Sequence, residues 1–210
     1  AVRSRGLGDV YKRQSQGKGV LLSAISGEKN SKVTIIGCGE VGRASIHKSI
    51  QIGASVTAID VNEKTLEDLK NKYGENISTI ISGTDEAVNA IRSADLIIGA
   101  VLLPGRKPPV VITEEDISAM EKGTVIVDVA IDQGGCVEGV TPNTHSDPFE
   151  IRNGVIVSAI ANLPGAVPRT SSIELSTNLQ KYVDNLLIEN WFDKYKNCLL
   201  YTSDAADELR

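Results

Sequence analysis

Short, continuous apolar runs alternate with amphipathic stretches along most of this chain. Lys32-Val-Thr-Ile-Ile36, Ser55-Val-Thr-Ala-Ile59, Ile77 to Ile81, Leu96 to Ala100, Thr124 to Asp128 and Gly154 to Ile160 are rich in β-branched residues and too short for helices, so each predicts a strand. Their apolar residues follow one another instead of alternating with polar ones, the pattern of a parallel sheet covered on both faces. Between them lie helical stretches. Glu40 to Ile52 is stopped by Gly53, and Asn62 caps a stretch with Leu66 and Leu69 on one face. Thr84 opens a third through Ala87, Val88 and Ile91, and Thr113-Glu-Glu-Asp116 opens a fourth that ends at Gly123. After Pro168, Ser171 to Tyr195 predicts one long helix with Ile173, Leu175, Leu179, Tyr182, Leu186 and Leu187 apolar and Trp191, Phe192 and Tyr195 at its end. Strands recur between helices with no repeat of ankyrin or tetratricopeptide length. The expected architecture is α/β: a doubly wound parallel sheet of six strands in the order 3-2-1-4-5-6, with a long C-terminal helix.

The turn off the first strand carries the first chemical signal. Gly37-Cys38-Gly39-Glu40-Val41-Gly42 has the form G-x-G-x-x-G, preceded by a strand and followed by a helix, a second strand and then Asp60. That context marks a Rossmann dinucleotide turn. Gly37 permits the tight turn, Gly39 lets backbone approach a pyrophosphate, and Gly42 lets helix and strand pack closely. Unpaired N–H groups at the helix start favour a diphosphate. Asp60, at the tip of the second strand, suits two ribose hydroxyls and repels a 2′-phosphate. No arginine follows it closely, and Lys64 is the nearest cation along the chain, so the expected cofactor is NAD and not NADP. A glycine turn without ligand and a methyltransferase-like nucleotide site are the competing readings of the same pattern.

Composition narrows the class. The chain has room for one sizeable α/β domain. A formal charge of -5 and few aromatic residues argue against a nucleic-acid partner, and no apolar run approaches the ~20 residues of a membrane span. No signal peptide is visible. Three cysteines without metal-ligand spacing fit a reducing compartment and suggest no metal site. The two ends look foreign: Asp9-Val-Tyr-Lys-Arg-Gln14 back-translates to DNA whose reverse complement, one base out of frame, encodes Cys198-Leu-Leu-Tyr-Thr202. Ser4 to Gln14 and Cys198 to Asp207 resemble translated sequencing-library adapters. The expected organisation is therefore adapter-like ends at 1–14 and 198–210, a connecting helix from an absent N-terminal domain at 15–30, the Rossmann domain at 31–170 and the C-terminal helix at 171–197.

In open α/β sheets a ligand lies beyond the carboxyl ends of the strands. Three loops collect there: apolar Val101-Leu102, suited to the face of a nicotinamide; Ala130-Ile131-Asp132-Gln133-Gly134-Gly135-Cys136, with a carboxylate near the reactive ring carbon; and Ala161-Asn162-Leu163-Pro164-Gly165, where Asn162 suits a carboxamide or substrate. Cys38 and Cys136 lack an evident activating base and are expected to be inert. His145 with Asp147 fits a turn better than a metal site, His47 a solvent-facing helix position, and Arg106-Lys107 a solvated loop pair.

With those loops the glycine turn, Ile98-Gly-Ala-Val-Leu-Leu-Pro-Gly105, Val127-Asp-Val-Ala-Ile-Asp-Gln-Gly-Gly-Cys136, Thr144-His-Ser-Asp-Pro148 and Ala161-Asn-Leu-Pro-Gly-Ala-Val-Pro-Arg-Thr170 resemble bacterial alanine dehydrogenase over nearly the whole insert. The resemblance implies reversible oxidation of L-alanine to pyruvate and ammonium with NAD, in a cytoplasmic homohexamer. It implies NAD contacts at Asp60, Lys64, Ser82, Val101, Leu102, Ile131, Asp132, Asn162 and Leu163, besides Gly37, Gly39, Glu40, Val41 and Gly42, and a catalytic role for Asp132. The family's substrate lysine and arginine and its catalytic histidine lie in a domain with no counterpart in this sequence. Leu163 stands where methionine is common, and Glu40 and Arg43 depart from the usual turn. Two further functions compete. One is the NAD domain of a transhydrogenase α subunit, a branch that lacks an aspartate at the Asp132 position. The other is a regulatory NAD-sensing module, which would need the glycine turn and Asp60 but not Asp132 or Asn162.

Overall fold

A computed structural model describes residues 16–23 and 30–186. Strands β1 (Lys32–Ile36), β2 (Ser55–Asp60), β3 (Ile77–Ile81), β4 (Leu96–Gly99), β5 (Val125–Asp128), β6 (Glu150–Arg152) and β7 (Val155–Ser158) form one sheet. Helices α1 (Glu40–Gln51), α2 (Glu63–Tyr73), α3 (Asp85–Arg92), α4 (Glu114–Ala119) and α5 (Pro168–Leu186) complete the described elements. The sheet order is β3-β2-β1-β4-β5-β7-β6, seven strands where six are expected. The first six positions hold as anticipated, parallel throughout, with the Gly154–Ile160 run supplying β7. The additional strand, β6, pairs antiparallel with β7. Its cause is the Asn153-Gly154 turn, both residues at positive φ (51° and 85°), a hairpin signal that folds Glu150–Arg152 back onto the edge.

Successive strand residues point to opposite faces, and each face has its own core. Ile35, Leu96, Ile98, Val125, Val127 and Ile156 pack on one side with Ile46 of α1 and Leu66 and Leu69 of α2. Ile36, Ile97, Ile126, Val155 and Val157 pack on the other with Ala87 and Ile91 of α3 and Ile117 of α4. This is why the strands carry unbroken apolar runs. Each fully buried isoleucine or leucine contributes roughly 1.5–3 kcal/mol of transfer free energy.

The caps follow the sequence. The Asn62 side chain accepts from the Thr65 N–H, and Thr84 accepts from the Ala87 N–H. Thr113 and Asp116 close a reciprocal capping box, which satisfies N–H groups that would otherwise be orphaned at the helix start. α5 begins at Pro168, where a proline has no N–H to lose, and is described to Leu186. Trp191, Phe192 and Tyr195 lie outside the described residues, as do both adapter-like ends.

The connecting helix expected at 15–30 is absent from its described portion: residues 16–23 form turns and bends. Gly19 adopts φ +69°, and Lys18 is held by Asp95 at 3.0 Å and Glu121 at 2.9 Å, so the segment is pinned to the sheet end by its charge instead of winding into a helix. The chain divides into two compact units, 1–163 and 164–210. No described helix is long and apolar enough to cross a membrane.

Candidate functional site

The three glycines of the first turn are used differently. Gly37 sits at φ +89°, and a Cβ there would lie 2.6 Å from the Ala100 carbonyl oxygen at the end of β4. A Cβ at Gly42 would lie 1.9 Å from the Gly37 carbonyl oxygen, so only glycine lets α1 start this close to β1. A Cβ at Gly39 would meet nothing within 4 Å. Gly39 is also the N-cap of α1 and makes no side-chain cap bond. The turn therefore presents bare backbone and the positive end of a helix to open space, which is the shape and charge a diphosphate requires.

Beside this turn lies a cleft of about 270 Å³ lined by Gly37, Gly39, Asp60, Ser82, Val101 and Leu102, among others. The parallel register that aligns Ile36 with Ile59 and Gly99 brings these loops together. At its rim Asp60 is held in place: Oδ2 accepts from the Cys38 N–H at 2.6 Å and Oδ1 from the Asn62 N–H at 2.9 Å. Each oxygen keeps further acceptor capacity. The Ser82 N–H donates to the Asp60 carbonyl at 2.9 Å.

Arg43, exposed on α1, folds back onto the glycine turn without lining the cleft. Its Nε donates at 3.0 Å to the carbonyl of Cys38, the residue whose N–H Asp60 accepts. Lys64 is exposed on α2 and does not line the cleft. Glu40 and Val41 open α1 beside the turn without lining the cleft either.

Asp132 and Asn162 form a second group. Asp132 is exposed in a 3-10 turn, and its Oδ1 accepts from the Asn162 N–H at 2.9 Å. Asn162 has φ +50°, and Leu163 starts the following short turn. Ile131, next to Asp132 in the same 3-10 turn, has its side chain buried within the loop.

The residue that sequence reasoning missed is Asp128, 0% exposed at the end of β5. Its Oδ1 accepts from the Ala130 N–H (2.9 Å) and the Cys136 thiol (3.4 Å), and its Oδ2 from the N–H groups of Cys136 (2.8 Å) and Val137 (3.2 Å). Burial pushes this carboxyl above the usual carboxylate range, opposed by those same bonds. A continuous strand such as Val125–Asp128 ending on a carboxylate is the signal that was present.

Cys38 and Cys136 are both free and buried, which disfavours the thiolate. Burial and the Asp60 carboxylate push Cys38 up to about 12, and burial beside Asp128 pushes Cys136 higher still. His47 is exposed, 3.3 Å from the Tyr73 hydroxyl. Among the described residues no cluster of histidine, cysteine or carboxylates could hold a metal ion.

The family model for the alanine dehydrogenase/PNT C-terminal domain matches residues 7–201. Alanine dehydrogenase of Staphylococcus haemolyticus is 42% identical over 181 residues, 86% of this chain and 48% of that protein. Alanine dehydrogenase of Bacillus subtilis is 48% identical over 161 residues, 76% of this chain and 43% of its own length. A solved L-alanine dehydrogenase superposes with a TM-score of 0.83 at 38% identity, over 90% of this chain and 53% of that one. A transhydrogenase from Sinorhizobium meliloti shares the fold, with a TM-score of 0.68 at 22% identity, over 89% of this chain and 55% of that one. The chain spans about half the length of the curated relatives it matches.

Proposed function

The chain belongs to the alanine dehydrogenase/PNT C-terminal domain family, and on that premise we propose that it binds NAD(H) as the coenzyme half of an alanine dehydrogenase. The observation that carries the reading is Asp60, fixed by two backbone N–H groups at the rim of a cleft bordered by the glycine turn. A carboxylate so oriented accepts from ribose hydroxyls and opposes a 2′-phosphate.

When bound, NAD supplies the hydride acceptor. Gly37, Gly39 and the first turn of α1 hold the diphosphate, and Val101 and Leu102 offer an apolar surface to the ring. Asp132 is aligned through Asn162 at the ring end, where an anionic carboxylate stabilises positive charge developing on an amine being oxidised and orients the water that follows. A binding-only module has no use for that second carboxylate, and the transhydrogenase branch is expected to lack an aspartate at this position. The full enzyme is proposed as a cytoplasmic homo-oligomer whose other half supplies the groups that bind L-alanine or pyruvate. The chain alone is not expected to turn alanine over.

Titrating the 210-residue chain with NADH and NADPH at one salt concentration tests the reading. The expected result is NADH binding with NADPH weaker by about tenfold or more, the scale of one buried or charge-assisted contact. Equal affinities would overturn it.

A further inference from the structure

We infer that Asp128 is a positioning residue whose buried carboxylate fastens the loops of the ring end to one another, so that the nicotinamide half of the site exists only while the clasp is closed. The inference rests on the NAD reading and goes beyond it, because Asp128 is fully buried and does not line the cleft.

The geometry is specific. The loop that carries Asp132 leaves β5 at Val129 and returns at Cys136 and Val137, by way of Gly134 and Gly135 at φ +105° and +75°. Asp128 accepts from the start of that loop, at the Ala130 N–H, and from its end, at the Cys136 and Val137 N–H groups. The loop is thus closed on a single side chain. The clasp also reaches β4. Gly99 is the register partner of Asp128, and a Cβ at Gly99 would lie 2.4 Å from the Cys136 sulfur. Gly99 is the last residue of β4, so the loop that carries Val101 and Leu102 leaves the sheet at this same contact. The third loop is tied on from outside, where Asp132 Oδ1 accepts from the Asn162 N–H.

All the groups aimed at Asp128 are donors: three N–H groups and a thiol. A carboxylate answers them with two acceptor oxygens. An amide of the same size has one oxygen and turns an NH₂ toward at least one N–H. Asp128→Asn therefore preserves volume and opens the clasp.

The test measures NADH and ADP-ribose binding to the full chain side by side, with the NADH fluorescence change on binding as a signature of the ring environment. ADP-ribose carries the adenosine, the diphosphate and a ribose but no nicotinamide. In Asp128→Asn we expect NADH affinity to fall about tenfold, with most of its fluorescence change lost, while ADP-ribose affinity stays within about twofold. Should that variant not fold, as judged by circular dichroism, Gly135→Ala undoes the clasp from the loop side. Its Cβ would lie 2.4 Å from Val140 Cγ1 and 2.9 Å from Asp128 Oδ2, and the same selective loss is expected. Equal losses for both ligands, or none for NADH, would overturn the inference. A wild-type chain that binds ADP-ribose as well as NADH would instead overturn the ring site itself, and with it any need for a positioning residue.

Discussion

The two parts of the proposed NAD site are built on different principles. The adenosine end is local: six consecutive residues, Gly37 to Gly42, form the turn, and Asp60 faces it from the adjacent strand tip. The ring end is assembled across the chain from Val101, Asp132 and Asn162, each from a different loop, with Asp132 and Asn162 30 positions apart. The first end is held by backbone close-packing that glycine alone permits. The second is held by hydrogen bonds converging on a buried carboxylate and on Asp132. One end is set by steric exclusion, and the other by polar satisfaction. Steric exclusion governs whether a ligand can approach, whereas the polar network sets where a reacting group stands.

That contrast is open to direct attack, beginning with its largest expected consequence. In a full-length enzyme carrying this chain as its C-terminal half, Asp132→Asn should lower turnover by about 10²-fold, while NADH affinity and melting temperature stay near wild type. Comparable losses in affinity and turnover would mean that Asp132 merely holds the loop. The glycines probe the other end. Gly42→Ala forces a Cβ against a backbone oxygen and should lower the thermal midpoint by about 10 °C, the equivalent of an overpacking cost near 3 kcal/mol. Gly39→Ala, with open space at the same atom, should leave the midpoint unchanged and weaken only NADH. Parallel behaviour of the two variants would refute the division of labour within the turn. The smallest effect concerns the rim. Asp60→Ser should weaken NADH about tenfold and bring NADPH to a similar affinity, because the carboxylate that repels a 2′-phosphate is gone and Arg43, one bond away on the Cys38 carbonyl, is the cation to turn toward it. Adding Arg43→Ala should remove the NADPH gain, and persistence of that gain would exclude the arginine from this role.

The legibility of these regions in the sequence follows the same physics. The glycine turn, the Asn62, Thr84 and Thr113 caps and the parallel strand order depend on contacts between near neighbours or on unbroken apolar runs, and each is present in the structure. Arg43 was hidden because its bond to the Cys38 carbonyl depends on how the glycine turn folds and not on a pattern along the chain. Asp128 was hidden because a strand-terminal aspartate has the same appearance whether it meets solvent or receives donors from residues two, eight and nine positions on. Over the described residues 16–23 the expected helix gives way to turns, where Gly17 and Gly19 and the Lys18 ion pairs outweigh the apolar Val20-Leu21-Leu22 run. β6 was missed although Asn153-Gly154 marked it, since a three-residue strand offers no periodicity to detect.

That short strand has a consequence for the behaviour of the protein in concentrated solution. An open sheet ends in unpaired backbone groups that can recruit a strand from another molecule and begin aggregation. At the β6 edge the strand is only three residues long and bears a charge at each end, Glu150 and Arg152. Arg152 pairs with Glu150 at 2.6 Å and donates to the carbonyls of Glu138 and Gly139 at 2.6 and 2.7 Å. A strand docking there would gain few ladder bonds and would have to pack against fixed charge, so this border of the sheet is guarded against runaway growth by a hairpin too small to serve as a template.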